Sequence, residues 1–244
     1  MIALGTACVV AGGVWFQMIA VFVTAVMIWE LWTMIEPQGP TRGMILAAMV
    51  ASVLSGALTV EEDWAIALFL LAPLVGAATL RRERATFFAF ALAVQVAGWG
   101  LVTFRADFGV FWLIWLIAVV VMTDIAGYFA GRLIGGPKFW PRVSPKKTWS
   151  GTAAGWAGAA LVGLVFEWFT RVGYEVVPLS VLLSMTSQAG DIAESALKRR
   201  MKVKDSSTLI PGHGGLFDRF DAMLGGSLFM LFVSAVLGVP GVGP

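Results

Sequence analysis

Long apolar segments separated by short polar breaks run along the whole chain. Nine segments are mainly apolar, covering residues 1–12, 14–35, 44–60, 64–80, 85–104, 110–133, 151–170, 177–198 and 216–238. A helix of about 20 apolar residues crosses a bilayer, so this pattern predicts an all-α, polytopic integral membrane protein with about eight or nine transmembrane helices. The first segment is short for a full crossing and can be a broken or re-entrant partner of the second.

The polar breaks divide Lys and Arg unevenly. Residues 81–84 (RRER), 136–148 and 196–223 are basic, whereas residues 61–63 (EED) are acidic. Since Lys and Arg accumulate in cytoplasmic loops, one alternation places all three basic breaks in the cytoplasm and the acidic break outside. The N-terminus is then cytoplasmic if the first segment crosses, and the C-terminus is outside. The start lacks the charge and the cleavage site of a signal peptide, so we expect the first segment to be retained.

Composition agrees with the membrane class. Hydrophobic residues make up 59% of the 244 residues and charged residues 13%, whereas soluble domains carry about 25% charged residues. The single cysteine, Cys8, excludes an intrachain disulfide and a thiolate metal cluster within this sequence. We expect one polytopic domain over 1–244, with N-terminal helices in 1–108 and catalytic helices and cytoplasmic loops in 109–244.

Ionisable residues inside or at the edge of apolar spans are candidates for chemistry, because each costs about 2.5 to 3.5 kcal/mol near mid-membrane. They are Glu30, Asp124, Glu167, Asp191 and Glu194. Glu30 and Glu167 have neighbouring Trp residues and fit a plain interfacial position. Asp124 is followed by Gly127 and Gly131, a small-residue face against which a second helix can pack.

The helix predicted to end near residue 200 carries a polar stripe. Asp191, Glu194, Ser195 and Lys198 follow the i, i+3, i+4, i+7 spacing and share one face. An ion-paired helix end explains such a stripe, and so does a catalytic site.

Residues 211–221 (PGHGGLFDRFD) join a glycine turn to a helix start. Backbone N–H groups at such a turn can approach an anion, and the helix dipole favours negative charge there. Capping explains one carboxylate at this position. Asp218 and Asp221 together with Asp191 indicate hard-oxygen ligands for Mg²⁺, which leaves further positions to water and phosphate oxygens. His213 can equally be a turn residue.

Cations and hydroxyl groups surround these carboxylates and can bind a polyphosphate. The cations are Lys146, Lys147, Lys198, Arg199, Arg200, Lys202, Lys204 and Arg219, and the hydroxyl groups are those of Ser144 and Thr148. Positive-inside topology explains many of the basic residues but not the carboxylates among them. Carboxylates for a metal beside cations for phosphates are what phosphoryl or nucleotidyl transfer requires.

Three motifs carry a resemblance to a known family. Residues 195–221 (SALKRRMKVKDSSTLIPGHGGLFDRFD) resemble the signature of the bacterial phosphatidate cytidylyltransferases, the CDP-diacylglycerol synthases. Residues 144–151 (SPKKTWSG) are similar to the family's Ser-Pro-Lys-Lys-Thr element, where an acidic residue usually stands at the place of Ser150. Residues 123–132 (TDIAGYFAGR) resemble its Asp-x-x-Ala-Tyr-x-x-Gly element, with one residue inserted or substituted around Gly127. The likeness is strong in the C-terminal half only.

The resemblance implies a reaction of CTP with phosphatidate that gives CDP-diacylglycerol and pyrophosphate. It also implies a multi-pass protein of the bacterial inner membrane, a homodimer, and an active site at the cytoplasmic face. Mg²⁺ is the expected cofactor, with room for a second cation. CTP, phosphatidate and the bilayer are the expected partners, and no nucleic acid is expected.

Carried over by position, the resemblance implies a metal centre on Asp191 and Asp218, with Asp221 close by. These three carboxylates and Lys198 are the predicted catalytic residues. The residues predicted to bind substrate are Ser144, Lys146, Lys147, Thr148, Arg199, Lys204, Asp205, His213, Gly214, Gly215 and Arg219. Asp124 and Glu194 are further candidates.

Other functional classes fit parts of the sequence. A transporter would place charges near mid-span, with a repeat between halves, whereas here they concentrate at one end of the C-terminal helices. A CTP-dependent lipid or polyprenol kinase needs the same residue types but releases CDP, whereas nucleotidyl transfer releases pyrophosphate. A non-catalytic scaffold has no need of carboxylates set among cations.

Overall fold

The computed structural model describes residues 2–60, 64–212 and 214–240, and most of them are helical, as predicted. The helices are α1 (Ile2–Ala11), α2 (Gly13–Ile35), α3 (Pro40–Ala57), α4 (Trp64–Ala67), α5 (Leu71–Thr79), α6 (Arg84–Leu133), α7 (Trp149–Thr170), α8 (Val176–Arg200) and α9 (Phe217–Val236). The acidic break 61–63 and His213 lie outside the described residues.

Six of the described helices are long and apolar enough to cross a membrane: α2, α3, α6, α7, α8 and α9. The chain is therefore a polytopic membrane protein. Helix α6 has 50 residues, which would extend about 75 Å if unbroken, against a hydrocarbon core of about 30 Å. It is interrupted at Gly109, where φ is 85° and ψ is 178°, a conformation that glycine adopts without a steric penalty. This interruption confirms the predicted break between segments 85–104 and 110–133.

The predicted span 64–80 is apolar but not one continuous α-helix. A short 3₁₀ turn, Leu68–Leu70, separates α4 from α5. The buried side chain of Gln95 donates from Nε2 to the carbonyl oxygen of Phe69 at 3.1 Å, so a carbonyl at this interruption has a partner away from water. The total of eight or nine spans stays a prediction.

A small antiparallel hairpin stands where the sequence predicts only a basic loop. Strand β1 (Lys138–Trp140) pairs with β2 (Ser144–Thr148), with Lys138 opposite Thr148 and Trp140 opposite Ser144. The ring centroids of Phe139 and Trp149 are 4.7 Å apart. A two-stranded hairpin is marginal alone in water, so this aromatic pair adds to its stability. The Ser-Pro-Lys-Lys-Thr element forms all of β2.

The chain divides into two compact units. The first contains Met1–Asp107 and Arg200–Phe220, and the second contains Phe108–Arg199 and Asp221–Pro244. The predicted single domain with a boundary at residue 108 stays a prediction.

In the first unit, α2 is anchored by the fully buried Trp32. Its indole packs edge-on against Phe87, with ring centroids 5.6 Å apart, and donates from Nε1 to the carbonyl oxygen of Gly39 at 2.8 Å. A Cβ at Gly43 would come within 2.8 Å of the indole, so only glycine lets α3 approach this closely. These contacts hold the α2 segment that contains Glu30.

In the second unit, helices approach each other at glycines. A Cβ at Gly127 would lie 3.3 Å from the carbonyl oxygen of Gly151, and a Cβ at Gly131 would lie 3.0 Å from Thr148 Oγ1. The predicted small-residue face of α6 is thereby confirmed. Gly190 of α8 and Gly225 of α9 meet in the same manner, since a Cβ at Gly190 would lie 3.0 Å from the backbone nitrogen of Gly225.

Candidate active site

The segment that resembles the family signature contains the end of α8, a connecting loop and the start of α9. A backbone hydrogen bond from Ile210 N to the carbonyl oxygen of Gly214, at 2.9 Å, closes its outer turn. The loop and the first residues of α9 belong to the first unit. We call residues 201–216 the signature loop.

Glu30 of α2 binds the signature loop in its middle and where it meets α9. Its side chain is fully buried, with 0% exposed surface. Oε1 accepts hydrogen bonds from Leu216 N at 2.9 Å and Ser207 Oγ at 2.6 Å. Oε2 accepts from Phe217 N at 2.6 Å and Ser206 Oγ at 3.4 Å. Glu30 is therefore more than a plain interfacial charge, because this carboxylate caps the start of α9 from inside the protein; its depth in the membrane stays a prediction.

Asp218 holds the same loop from the first turn of α9. Its Oδ2 accepts hydrogen bonds from Ser206 N at 2.9 Å, Ser206 Oγ at 2.8 Å and Gly215 N at 2.8 Å. Ser206 is thus bonded to Asp218 by its backbone and side chain, and to Glu30 by its side chain. Asp218 stabilises the loop in addition to any role as a metal ligand, which stays a prediction.

The two glycines before α9 are required by this close packing. Gly214 has φ +81°, and a Cβ there would come within 2.7 Å of Asp218 Oδ2. A Cβ at Gly215 would overlap Ser206 Oγ and the Glu30 carboxylate. The sequence predicts that N–H groups of this turn receive a substrate anion. In the structure the N–H groups of Gly215, Leu216 and Phe217 bind the protein's own carboxylates. A substrate role for Gly214 and Gly215 stays a prediction.

In the second unit, the hairpin and α8 meet through an ion pair between Lys147 of β2 and Asp191. Both side chains are about one quarter exposed, at 26%. A second contact lies nearer the end of α8, where Arg199 Nε donates to the carbonyl oxygen of Val143 in the hairpin turn at 3.4 Å. The predicted cation and the predicted carboxylate are therefore neighbours in space.

The polar stripe of α8 is paired along its length. Ser195 Oγ donates to Asp191 at 3.3 Å, and Lys198 Nζ lies 2.5 Å from Glu194 Oε2. Glu194 has only 1% exposed surface. The stripe is thus ion-paired, the arrangement that the sequence left open beside a catalytic one.

Further carboxylates of the second unit gather near Asp191. Asp124 of α6 and Asp221 of α9 both lie within electrostatic reach of Asp191. Lys147 also lies within reach of Asp124, and Lys198 within reach of Asp221. Asp124, Asp191 and Asp221 are therefore set beside two lysines, Lys147 and Lys198.

The other predicted site residues have varied surroundings. Thr148 is buried and serves as the N-cap of α7, accepting from Gly151 N at 3.2 Å. Its hydroxyl also lies 3.0 Å from that of Ser150, which donates to the carbonyl oxygen of Gly135. Ser144 is half-buried. Exposed positions are those of Lys146, Arg199, Lys204, Asp205 and Arg219.

Arg200 has a protein partner. Its Nε lies 2.8 Å from Glu83 Oε2, at the basic break before α6. A hydrogen bond from Thr86, at 2.7 Å, and this Arg200 contact lower the pKa of Glu83. Arg200 therefore joins two polar breaks within the first unit.

Hard oxygen donors are the ligands that Mg²⁺ prefers, and it commonly takes one or two carboxylates plus water and phosphate oxygens. Within the described residues, no three His, Cys, Asp or Glu side chains are grouped closely enough to hold a metal by themselves. Asp191 and Asp221, neighbours in the second unit, fit a site of the carboxylate-plus-phosphate kind. The metal assignment of Asp191, Asp218 and Asp221 stays a prediction.

Sequence reasoning missed Glu30, Ser206 and Ser207 as the residues that hold the signature loop within the first unit. The signal for Glu30 was present, since a carboxylate in an apolar helix needs partners. Its partners lie 176 to 187 positions away along the chain, and spacing along one helix does not reveal them.

Comparison with known proteins gives one family. The sequence model described as "Cytidylyltransferase family" matches residues 1–237. A protein of Brucella suis biovar 1 (strain 1330) named phosphatidate cytidylyltransferase is 45% identical over 137 residues, 55% of this chain and 51% of the relative. A protein of Bacillus subtilis (strain 168) with the same name is 37% identical over 133 residues, 53% of this chain and 49% of the relative. The chain spans about half the length of the curated relatives it matches.

Proposed function

We propose that this chain, which belongs to the cytidylyltransferase family, catalyses transfer of the cytidylyl group of CTP to phosphatidate at a membrane surface. The products are CDP-diacylglycerol and pyrophosphate. The relatives' name, phosphatidate cytidylyltransferase, supports this choice of substrates.

The observation that carries the proposal is the ion pair between Lys147 and Asp191. It brings together two segments that resemble separate elements of the family, the Ser-Pro-Lys-Lys-Thr strand and the carboxylate end of α8. A cation for phosphate and a carboxylate for metal at one place are what nucleotidyl transfer requires.

In the proposed reaction a phosphate oxygen of phosphatidate attacks the α-phosphorus of CTP. The new bond joins that oxygen to the α-phosphorus, and the bond from the α-phosphorus to the bridging oxygen of the β-phosphate breaks. Pyrophosphate leaves with the bonding electrons. Two anions must approach each other, so Lys147 and Lys198 lower their repulsion by binding phosphate oxygens. The attacking group is part of the substrate, so the reaction needs no protein nucleophile.

Mg²⁺ is proposed as the cofactor, held by Asp191 and Asp221 of the second unit. When bound there, it supplies positive charge opposite the triphosphate. Asp218 remains a ligand predicted from the sequence.

The site is proposed to face the cytoplasm of a bacterial inner membrane. CTP is water-soluble, whereas the acyl chains of phosphatidate stay in the bilayer, so the reaction must occur where apolar helices end in basic loops. A homodimer is the proposed assembly.

The test uses the full chain purified in detergent, with phosphatidate, Mg²⁺ and CTP labelled at either the α- or the γ-phosphate. We expect label in the lipid only from α-labelled CTP, together with release of pyrophosphate. Lipid labelled only from γ-labelled CTP would identify a kinase instead, and no labelled lipid from either substrate would contradict both activities. Asp191→Asn should lower the rate of transfer by about 100-fold or more, with the exposed Asp107→Asn as the matched control.

A further inference from the structure

We infer that Glu30 is a positioning residue that holds the signature loop in the conformation that binds the nucleotide. The inference rests on the proposed function and on the sequence prediction that basic residues of this loop, Lys204 among them, bind the nucleotide. Glu30 itself lies in an apolar helix and is not assigned to contact substrate.

The first support is burial. Glu30 is fully enclosed within a 23-residue apolar helix. A carboxylate in that position is unfavourable unless hydrogen bonds replace its water shell. The structure supplies four such bonds, two from backbone N–H groups and two from serine hydroxyls. Three of the donors belong to the loop and the fourth is Phe217 N at the start of α9, so the carboxylate fixes the loop against that helix start.

The second support is the distribution of the bonds between the two oxygens. Oε1 binds Ser207 and Leu216, and Oε2 binds Ser206 and Phe217. Each oxygen therefore joins the middle of the loop to its junction with α9. A glutamine has only one carbonyl oxygen, and its NH₂ group would oppose an N–H or O–H donor on the other side.

The third support is the shared position of Ser206. This residue binds Glu30 through its hydroxyl and Asp218 through its hydroxyl and backbone. A side chain at position 215 would not fit, because Ser206 and Glu30 already occupy the space beside Gly215. The two carboxylates and the loop thus form one connected network, and loss of Glu30 frees the loop from α2.

The test compares Glu30→Gln with Glu167→Gln, the same substitution at another buried glutamate of a membrane-spanning helix. We expect Glu30→Gln to lower kcat/KM for CTP by about 10- to 100-fold, the scale for residues that orient metal ligands. The KM for CTP should carry most of the loss, and the KM for phosphatidate should stay unchanged. Glu30→Asp, which keeps the charge, should recover part of the activity.

A second measurement is independent of catalysis. Hydrogen–deuterium exchange of peptides covering 203–217 should accelerate in Glu30→Gln and stay as in the parent protein in Glu167→Gln. Ser207→Ala removes one bond to Glu30 from the loop side, and it should give a smaller loss with the same rise in the KM for CTP. If Glu30→Gln does not fold, the exchange and kinetics of Ser207→Ala test the inference instead.

Unchanged exchange in both Glu30→Gln and Ser207→Ala would overturn the inference, and so would an equal loss of activity in Glu167→Gln. Faster exchange without a change in the KM for CTP would also contradict a positioning role. If the parent protein transfers no cytidylyl group, the proposed function fails, but the exchange comparison still tests whether Glu30 holds the loop.

Discussion

Lys147 of the hairpin and Asp191 of α8 form an ion pair that joins strand β2 to a helix long and apolar enough to cross a membrane. Each side chain keeps 26% of its surface exposed, so water and a ligand can reach both. In the proposed complex, phosphate oxygens of the nucleotide replace Asp191 as the partner of Lys147. Asp191 is then available to bind a divalent cation. The ion pair thus describes the state without nucleotide, and its exchange of partners describes the proposed nucleotide-bound state.

The ion pair predicts how Lys147→Ala behaves. The KM for CTP should rise because a phosphate-binding cation is lost. The free energy of unfolding should change little, because a partly exposed ion pair contributes only about 0 to 1 kcal/mol to it. Steady-state kinetics and thermal unfolding in detergent measure the two effects. Lys138→Ala, at an exposed lysine of the other strand, is the control and should leave the KM unchanged. A KM for CTP in Lys147→Ala that equals that of the parent protein would show that Lys147 serves topology alone.

Asp191→Asn should cost about 100-fold or more in activity, judged from the scale for removing one electrostatic stabiliser. Asparagine keeps the size of the side chain but removes a charge that faces Mg²⁺. Initial rates over a range of Mg²⁺ concentrations measure the loss. Full activity of Asp191→Asn at limiting Mg²⁺ would contradict its assignment as a ligand.

Asp218 combines two roles that different substitutions separate. Asn can still accept the bonds from Ser206 and Gly215 through one oxygen, so Asp218→Asn should keep the signature loop ordered while losing about 100-fold in activity. Raising Mg²⁺ should restore part of that loss. Asp218→Ala removes the acceptor as well, and it should also accelerate hydrogen exchange of the loop. Parental activity of Asp218→Asn with an ordered loop would show that Asp218 acts only through its contacts to the loop.

Gly215→Ala tests the packing of the loop directly. Its methyl group would overlap Ser206 and Glu30, and overpacking of this kind costs about 1 to 3 kcal/mol. The midpoint of thermal unfolding should fall, and activity should fall with it. Gly56→Ala is the control, because a Cβ there meets nothing within 4 Å and Ala favours a helix over Gly by about 1 kcal/mol. An unchanged midpoint in Gly215→Ala would contradict the described loop.

Membrane orientation can be tested by labelling. In a Cys8→Ser background, single cysteines at the exposed positions Lys146 and Lys204 should react with a membrane-impermeant maleimide only after the cells are opened, because basic loops stay in the cytoplasm. A cysteine that replaces Asp63 in the acidic break should react in intact cells. Labelling of Lys146→Cys or Lys204→Cys from outside would reverse the orientation and the proposed side of the active site.

The apolar spans, the membrane class and the break near Gly109 could be predicted from the sequence. Transfer of a helix into a bilayer depends on the summed hydrophobicity of about 20 adjacent residues, which is a local property of the chain. The stripe on α8 could also be predicted, because i, i+3 and i+4 neighbours share a helix face. The pairs Asp191 with Ser195 and Glu194 with Lys198 follow from that rule.

Only the tertiary structure decided which groups meet across the chain. The carboxylate of Glu30 looked like an interfacial charge because its partners come from Ser206, Ser207 and the start of α9. The glycine turn before α9 looked open to a substrate anion, yet its N–H groups bind Glu30 and Asp218. A helix start favours negative charge from any source. Whether a ligand or a side chain supplies that charge depends on which distant helix packs beside it, and spacing along the sequence does not contain that information.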